Sequence, residues 1–176
     1  AERIGGVTST LHKDDYAWDL GPLLLEGFAP DERAGRILKD LGVHVELIAD
    51  DRAYIFPDFT LRKPDNYAGR DWRLQRLLKV FPAEAEGLQR YWKLYNIMAD
   101  LVALNVRADR AWGPLKLPFK LRMLRKFNKA KDWSTESAEE LMDELFIDPR
   151  LKAVFTSILA DFVTKPSDFP ALGVPV

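Results

Sequence analysis

The period of the hydrophobic pattern changes once along this chain, and the change limits what the chain can fold into. From Val7 to Lys63 most apolar residues alternate in short runs broken by Asp, Gly and Pro, with one helical interruption; from Asp71 onward they recur every three or four positions. Alternation puts successive side chains on opposite faces of a strand, whereas spacings of three and four gather them on one side of a helix. The pattern predicts an α+β fold, a small antiparallel sheet followed by a mostly helical cap. A hydrophobic fraction of 47% beside 30% charged residues gives such a chain enough apolar surface to fold.

Thr8, Thr10 and His12 alternate with Val7, Ser9 and Leu11, and after Asp14-Asp15 the alternation resumes through Tyr16, Trp18 and Leu20, which predicts a β-hairpin ended by Gly21-Pro22. Asp31 is the expected cap of a helix from Glu32 to Leu41, with Gly42 as its stop. "VHVELI", "AYIFP" and "FTLRK" then predict two or three antiparallel strands within 43–63. Helices are expected over 71–163. Asp71 would cap Trp72 to Phe81, and Pro82 would open a helix whose wide apolar face holds Leu88, Tyr91, Trp92, Tyr95, Met98, Ala99 and Val102. Further helices are expected from Phe119 to Lys129, from Glu136 to Leu145 with Ser134 or Thr135 as cap, and from Arg150 to Val163 behind Pro149. The tail "KPSDFPALGVPV" offers no partner of its own.

Several function classes are disfavoured at this level. A net charge of -1 provides no bulk attraction for nucleic acid, and without cysteine there is no disulfide, thiolate nucleophile or Cys-based zinc site. No Ser-His-Asp set is visible; His12 and His44 read as solvated strand residues among charged neighbours. Cysteine-free composition suits a reducing compartment, and a cytoplasmic location is expected.

Arg3-Ile4-Gly5-Gly6, a hairpin carrying Tyr16 and Trp18, and then Asp19-x-Gly21-Pro22 resemble the segment that follows the ribose-binding strand in the FAD-dependent amine-oxidoreductase superfamily. Within it the resemblance is to the phytoene desaturase and carotenoid isomerase group, and "DPRLKAVFTSILADFVTKPSDFPAL" (148–172) is similar to that group's helical segment ending in a Pro-x-x-x-Pro-Ala turn. The resemblance implies FAD as cofactor, hydride transfer to the flavin, and a long apolar, carotenoid-like or polyene substrate that is desaturated or isomerised. It implies that Gly5, Gly6, Thr8, Asp19, Gly21 and Pro22 contribute to the cofactor wall, with Asp19 receiving backbone N–H groups and no proton-transfer role. Residues 1–30 would be part of the FAD-binding domain and 31–176 the substrate cap. An amine or protoporphyrinogen oxidase is the alternative within the superfamily.

Two positions depart from the group's pattern: Val7 stands where Arg or Lys is frequent, and Asp15 stands at the hairpin tip where Gly is common. The G-x-G-x-x-G turn and ribose acid of a ~30-residue βαβ unit are not among these residues, and Glu2 is not that acid. The expectation is an internal piece of a flavoprotein, inactive and free of flavin on its own.

Two stretches admit both a packing and a binding role. Tyr91, Trp92 and Tyr95 could line a tunnel for an apolar substrate or fill a core. In "KLPFKLRMLRKFNKAK" (116–131), Leu117, Leu121 and Leu124 form one apolar row and Phe119, Met123 and Phe127 another, among Lys116, Lys120, Arg122, Arg125, Lys126, Lys129 and Lys131. Such a helix can lie in the lipid headgroup region, which suits an enzyme of a bilayer-dissolved polyene. Alternatively its cations pair with Glu136, Glu139, Glu140, Asp143 and Glu144. A non-catalytic module docking on a membrane or partner through this helix is the competing functional reading.

Overall fold

The computed structural model describes residues 9–19, 27–28, 30, 32–47, 53–64, 71–160 and 162–175, and they form the expected α+β arrangement in two units, Ala1–Arg52 and Ala53–Val176. In the first unit β1 (Thr10–Lys13) pairs antiparallel with β2 (Tyr16–Asp19). Leu11 lies opposite Trp18 and Lys13 opposite Tyr16, so Asp14-Asp15 is left as the turn. Asp14 takes a φ of 54°, a left-handed angle that Asp tolerates better than most residues.

Helix α1 (Arg33–Asp40) ends where Gly42 adopts a φ of 68°. The Gly42 amide donates to the Lys39 carbonyl and the Val43 amide to that of Leu38, closing the helix with a Schellman pair. Val43 to Leu47 make no ladder among the described residues, and His44 is therefore not a strand residue. Val43, Val45 and Leu47 are about half exposed, so their alternation has no buried face to serve.

In the second unit β3 (Ala53–Ile55) pairs antiparallel with β4 (Thr60–Arg62), and five described helices follow, the first four joined by 3₁₀ turns. These are α2 (Trp72–Val80), α3 (Ala85–Arg110), α4 (Lys116–Phe127), α5 (Ala138–Leu145) and α6 (Pro149–Thr156). The core gathers Leu61 from β4, Leu77 from α2, Leu88, Tyr91, Trp92 and Leu94 from α3, Leu141, Met142 and Leu145 from α5, and Leu151 and Phe155 from α6. Phe59 meets the Phe81 ring edge-on at 5.3 Å, which seats the β3–β4 turn on the end of α2.

The helix ends differ from the sequence expectation for identifiable reasons. Asp71 precedes α2 but makes no capping bond; its carboxylate accepts from the Trp92 indole N–H at 2.9 Å, a buried donor that would otherwise be orphaned. Pro118 lies inside the first turn of α4, where its missing N–H leaves no helical bond unmade, so the helix begins at Lys116. Ser137, not Ser134 or Thr135, caps α5. It and Glu140 form a reciprocal capping box, whereas Lys131–Thr135 is a 3₁₀ turn.

Helix α6 gives way to a 3₁₀ turn at Ser157–Ala160, well before Val163. The tail also has partners. The Ala138 amide donates to the Phe169 carbonyl at 2.7 Å and the Ala171 amide to the Glu136 carbonyl at 3.0 Å, while Ala171 and Val174 are buried.

Candidate functional site

Helix α3 enters the core as a row of rings. Tyr91 and Trp92 are 4% and 5% exposed, and the Tyr91 ring lies 4.1 Å from that of Phe155, which itself stacks on Phe146 at 5.3 Å. Tyr95, half-buried, is 4.9 Å from the Trp92 ring. Burial pushes the Tyr91 phenol well above the ordinary tyrosine range despite the opposing charge of Arg73. The phenol therefore stays protonated and acts as a donor toward the Val174 carbonyl, 3.5 Å away at the limit of a hydrogen bond. It is not placed to be an acid or base.

At the start of α3, Glu84 is the one buried charged residue among those described. Its carboxylate accepts from the Ile147 amide at 3.1 Å and the Asp148 amide at 2.6 Å. One side chain thus satisfies two backbone donors in the turn between α5 and α6 and ties that turn to the start of α3. Sequence reasoning passed over Glu84 because a Glu in a Pro-Ala-Glu turn carries the ordinary signature of a helix start; only the fold reveals its distant partners.

A second constellation lies between α3 and α4. A cleft of about 590 Å³ is lined by Asp100, Ala103, Leu104 and Arg107 from α3 and by Arg122, Arg125, Lys126 and Lys129 from α4. Lys126 reaches Asp100 at 2.5 Å. The acidic residues downstream do not serve α4 in this way. Glu144 pairs with Arg90 and accepts from the Trp133 indole, and Asp143 pairs with Lys152. On the rest of α4, Leu117, Leu121 and Leu124 are 60%, 52% and 57% exposed, whereas Phe119 and Met123 are half-buried and Phe127 is 39% exposed. Lys120, Arg122 and Arg125 are exposed and Lys116 is partly covered. Arg107 was not part of the sequence reading of this site; its spacing from Asp100, Ala103 and Leu104 on one helical face was the available signal.

Of the residues that the resemblance assigns to a cofactor, Gly5, Gly6, Thr8, Gly21 and Pro22 lie outside the described residues. Asp19 closes β2 opposite Thr10. The hairpin between them is present with Tyr16 and Trp18 exposed on the face they share with Leu11. No group of His, Cys, Asp and Glu able to hold a metal occurs among the described residues, and no helix there is long and apolar enough to cross a membrane.

Comparison with known proteins decides the family. Residues 1–170 match the family described as flavin containing amine oxidoreductase. The chain belongs to this family. It is also 26% identical over 172 residues to the all-trans-retinol 13,14-reductase of Rattus norvegicus, a match covering 94% of the chain and 28% of that protein. The chain thus spans about 28% of the length of this curated relative. No solved structure matches. Membership in the flavin containing amine oxidoreductase family agrees with the superfamily that the glycine pair and Asp-x-Gly-Pro resemble, and the family's name carries flavin as its cofactor.

Proposed function

We propose that this chain supplies the substrate cap and part of the cofactor wall of an FAD-dependent oxidoreductase acting on a long apolar polyene, in the phytoene desaturase and carotenoid isomerase group. The family match over residues 1–170 carries the reading. The retinol reductase relative supports the substrate class, since its name specifies a polyene alcohol altered at a carbon–carbon bond.

The flavin, when bound, supplies the hydride acceptor or donor. The chain's own contribution is to hold and to exclude. Gly5 and Gly6 would let the backbone pass close to the dinucleotide, and Asp19 would fix the turn that brings Gly21 and Pro22 to it. Residues 1–30 would belong to the cofactor domain and 31–176 to the cap. In the cap, the Tyr91–Trp92–Tyr95 cluster would form a rigid wall, with half-buried Tyr95 the member nearest to being available to a substrate. Lys116, Lys120 and Phe127, with the exposed leucines of α4, would face a membrane that holds the substrate. Phe119, by contrast, is half-buried, Lys126 pairs with Asp100, and Arg122 and Arg125 line the cleft against α3.

The test is expression of the complete reading frame that contains these residues, with flavin absorbance read on the purified protein and polyene turnover followed by chromatography. A flavin spectrum and a changed double-bond count in a carotenoid or retinoid are expected. A protein that is colourless and stays so with added FAD overturns the reading. Flavin-free protein that still binds vesicles through α4 would instead favour the non-catalytic docking module.

A further inference from the structure

The cleft between α3 and α4 has a charge balance that folding alone does not explain. Its lining brings five cations, Arg107, Arg122, Arg125, Lys126 and Lys129, around one carboxylate, Asp100. That carboxylate pairs with Lys126. Arg107, Arg122, Arg125 and Lys129 have no hydrogen bond or ion pair among the described residues, although carboxylates elsewhere in the same unit are matched to Arg90, Arg150 and Lys152. Like charges converging on one concavity repel one another and raise its potential, and an anion entering it relieves that repulsion.

We propose that this cleft is a binding site for a phosphate monoester, held by Arg107 from one wall and by Arg122, Arg125 and Lys129 from the other. Three guanidinium forks match tetrahedral phosphate oxygens in pairs, and Lys129 adds a compact fourth charge, so a dianionic phosphate is met by more charge and more donors than a carboxylate could use. The volume of about 590 Å³ exceeds what one phosphate needs and leaves room for the group that carries it.

The rotation of 100° per residue implied by the helix geometry places Arg122, Arg125 and Lys129 on one flank of the Leu117–Leu121–Leu124 row and Lys116 and Lys120 on the other. That row is exposed. A lipid phosphomonoester headgroup seated in the cleft would therefore have its chains beside apolar side chains, while a soluble phosphoester would use the cleft alone. The site does not rest on the flavin reading: its test detects anion binding in flavin-free protein, so either can fail without the other.

Inorganic phosphate is titrated into the 176-residue chain by calorimetry and by amide chemical shifts, and in parallel the chain is sedimented with vesicles of phosphatidylcholine alone or doped with phosphatidic acid. R122Q/R125Q is expected to weaken phosphate binding by about a hundredfold, since each of the two charge-assisted contacts removed is worth about a factor of ten. In the inorganic phosphate titration, which involves no membrane, K116Q/K120Q removes the same charge from the far flank and is expected to stay within about twofold because exposed charges at that distance are screened. R107Q, on the other wall, provides a second reading should the double variant fold poorly.

Vesicle binding that needs phosphatidic acid and is competed by inorganic phosphate identifies a lipid source. Phosphate binding without vesicle binding identifies a soluble one, and both outcomes support the site. No phosphate binding in either arm overturns it. So does an equal loss from both double variants, which would reduce the effect to diffuse charge.

Discussion

Gly87 sets the distance between α3 and the end of α5, and replacing it with alanine tests that packing directly. A Cβ at Gly87 would fall 1.9 Å from the Leu145 carbonyl oxygen and 3.1 Å from Cδ1 of Phe146. Because the first obstacle is backbone, relief requires the helices to part by about 1 Å, and a gap of that size forfeits about a quarter to a half of the dispersion attraction across it. Parting them pulls on the Phe146-to-Met142 backbone bond that ends α5 and on the Glu84 carboxylate holding the next two amides.

Alanine gains about 1 kcal/mol over glycine in a helix interior. Against that stand about 1–3 kcal/mol for the forced repacking and about 1.5–3 kcal/mol for weakening the charged hydrogen bonds at Glu84. The expected net loss is about 1.5–5 kcal/mol, or a fall in Tm of roughly 3–20 °C for a chain of this size. Thermal and urea unfolding of Gly87→Ala followed by circular dichroism measures it. If Gly87→Ala proves as stable as the native chain, or more so, then the α3–α5 contact described above is wrong.

Three other substitutions probe the start of α5. Ser137→Ala removes the cap and is expected to cost about 1 kcal/mol in unfolding free energy. The Ser137 amide and hydroxyl hold the Glu140 carboxyl below the usual range. Its stabilising contribution is therefore complete above the unfolded pKa and lost as pH falls through the lower folded value. In urea titrations at a series of pH values, Ser137→Ala removes the hydroxyl but keeps the amide, the larger cause, so it should flatten that acid limb only in part. Glu140→Gln should remove Glu140's share of the limb altogether, and a limb unchanged in Glu140→Gln would count against the capping box. Glu136 has the opposite sign. Burial, and after it the charges of Glu144, Glu140 and Asp132, raise its pKa, and one of its carboxylate oxygens is buried without a partner. Glu136→Gln should therefore stabilise the fold at neutral pH, with the gain shrinking as pH drops below the raised folded value. A constant gain across that range would show that charge is not the cause.

What the sequence displayed was whatever local chemistry decides. The Asp14-Asp15 turn, the stop at Gly42 and the apolar face of α3 could all be read directly, because each is set by residues within a turn or two. What it hid depends on chain segments far apart. Asp71 looks like a cap until Trp92 claims its carboxylate, and Ser134 competes with Ser137 until Glu140 chooses between them. Residues 43–47 carry a strand's alternation without a strand's partner among the described residues. The basic stretch was legible as amphipathic, but its cleft was not, since Arg107 and Asp100 reach it from another helix. The residues that the resemblance assigns to the cofactor lie mostly outside the described part of the chain.

The bridge between Ser137 and Pro170 has a consequence for how this unit opens. The amides of Ala138 and Ala171 are each tied to the opposite segment, so neither can meet solvent deuterium while the other stays closed. They should exchange as one event despite their separation along the chain. An agent that loosens residues 169–174 would release the first turn of α5 and uncover the Tyr91 ring in the same step.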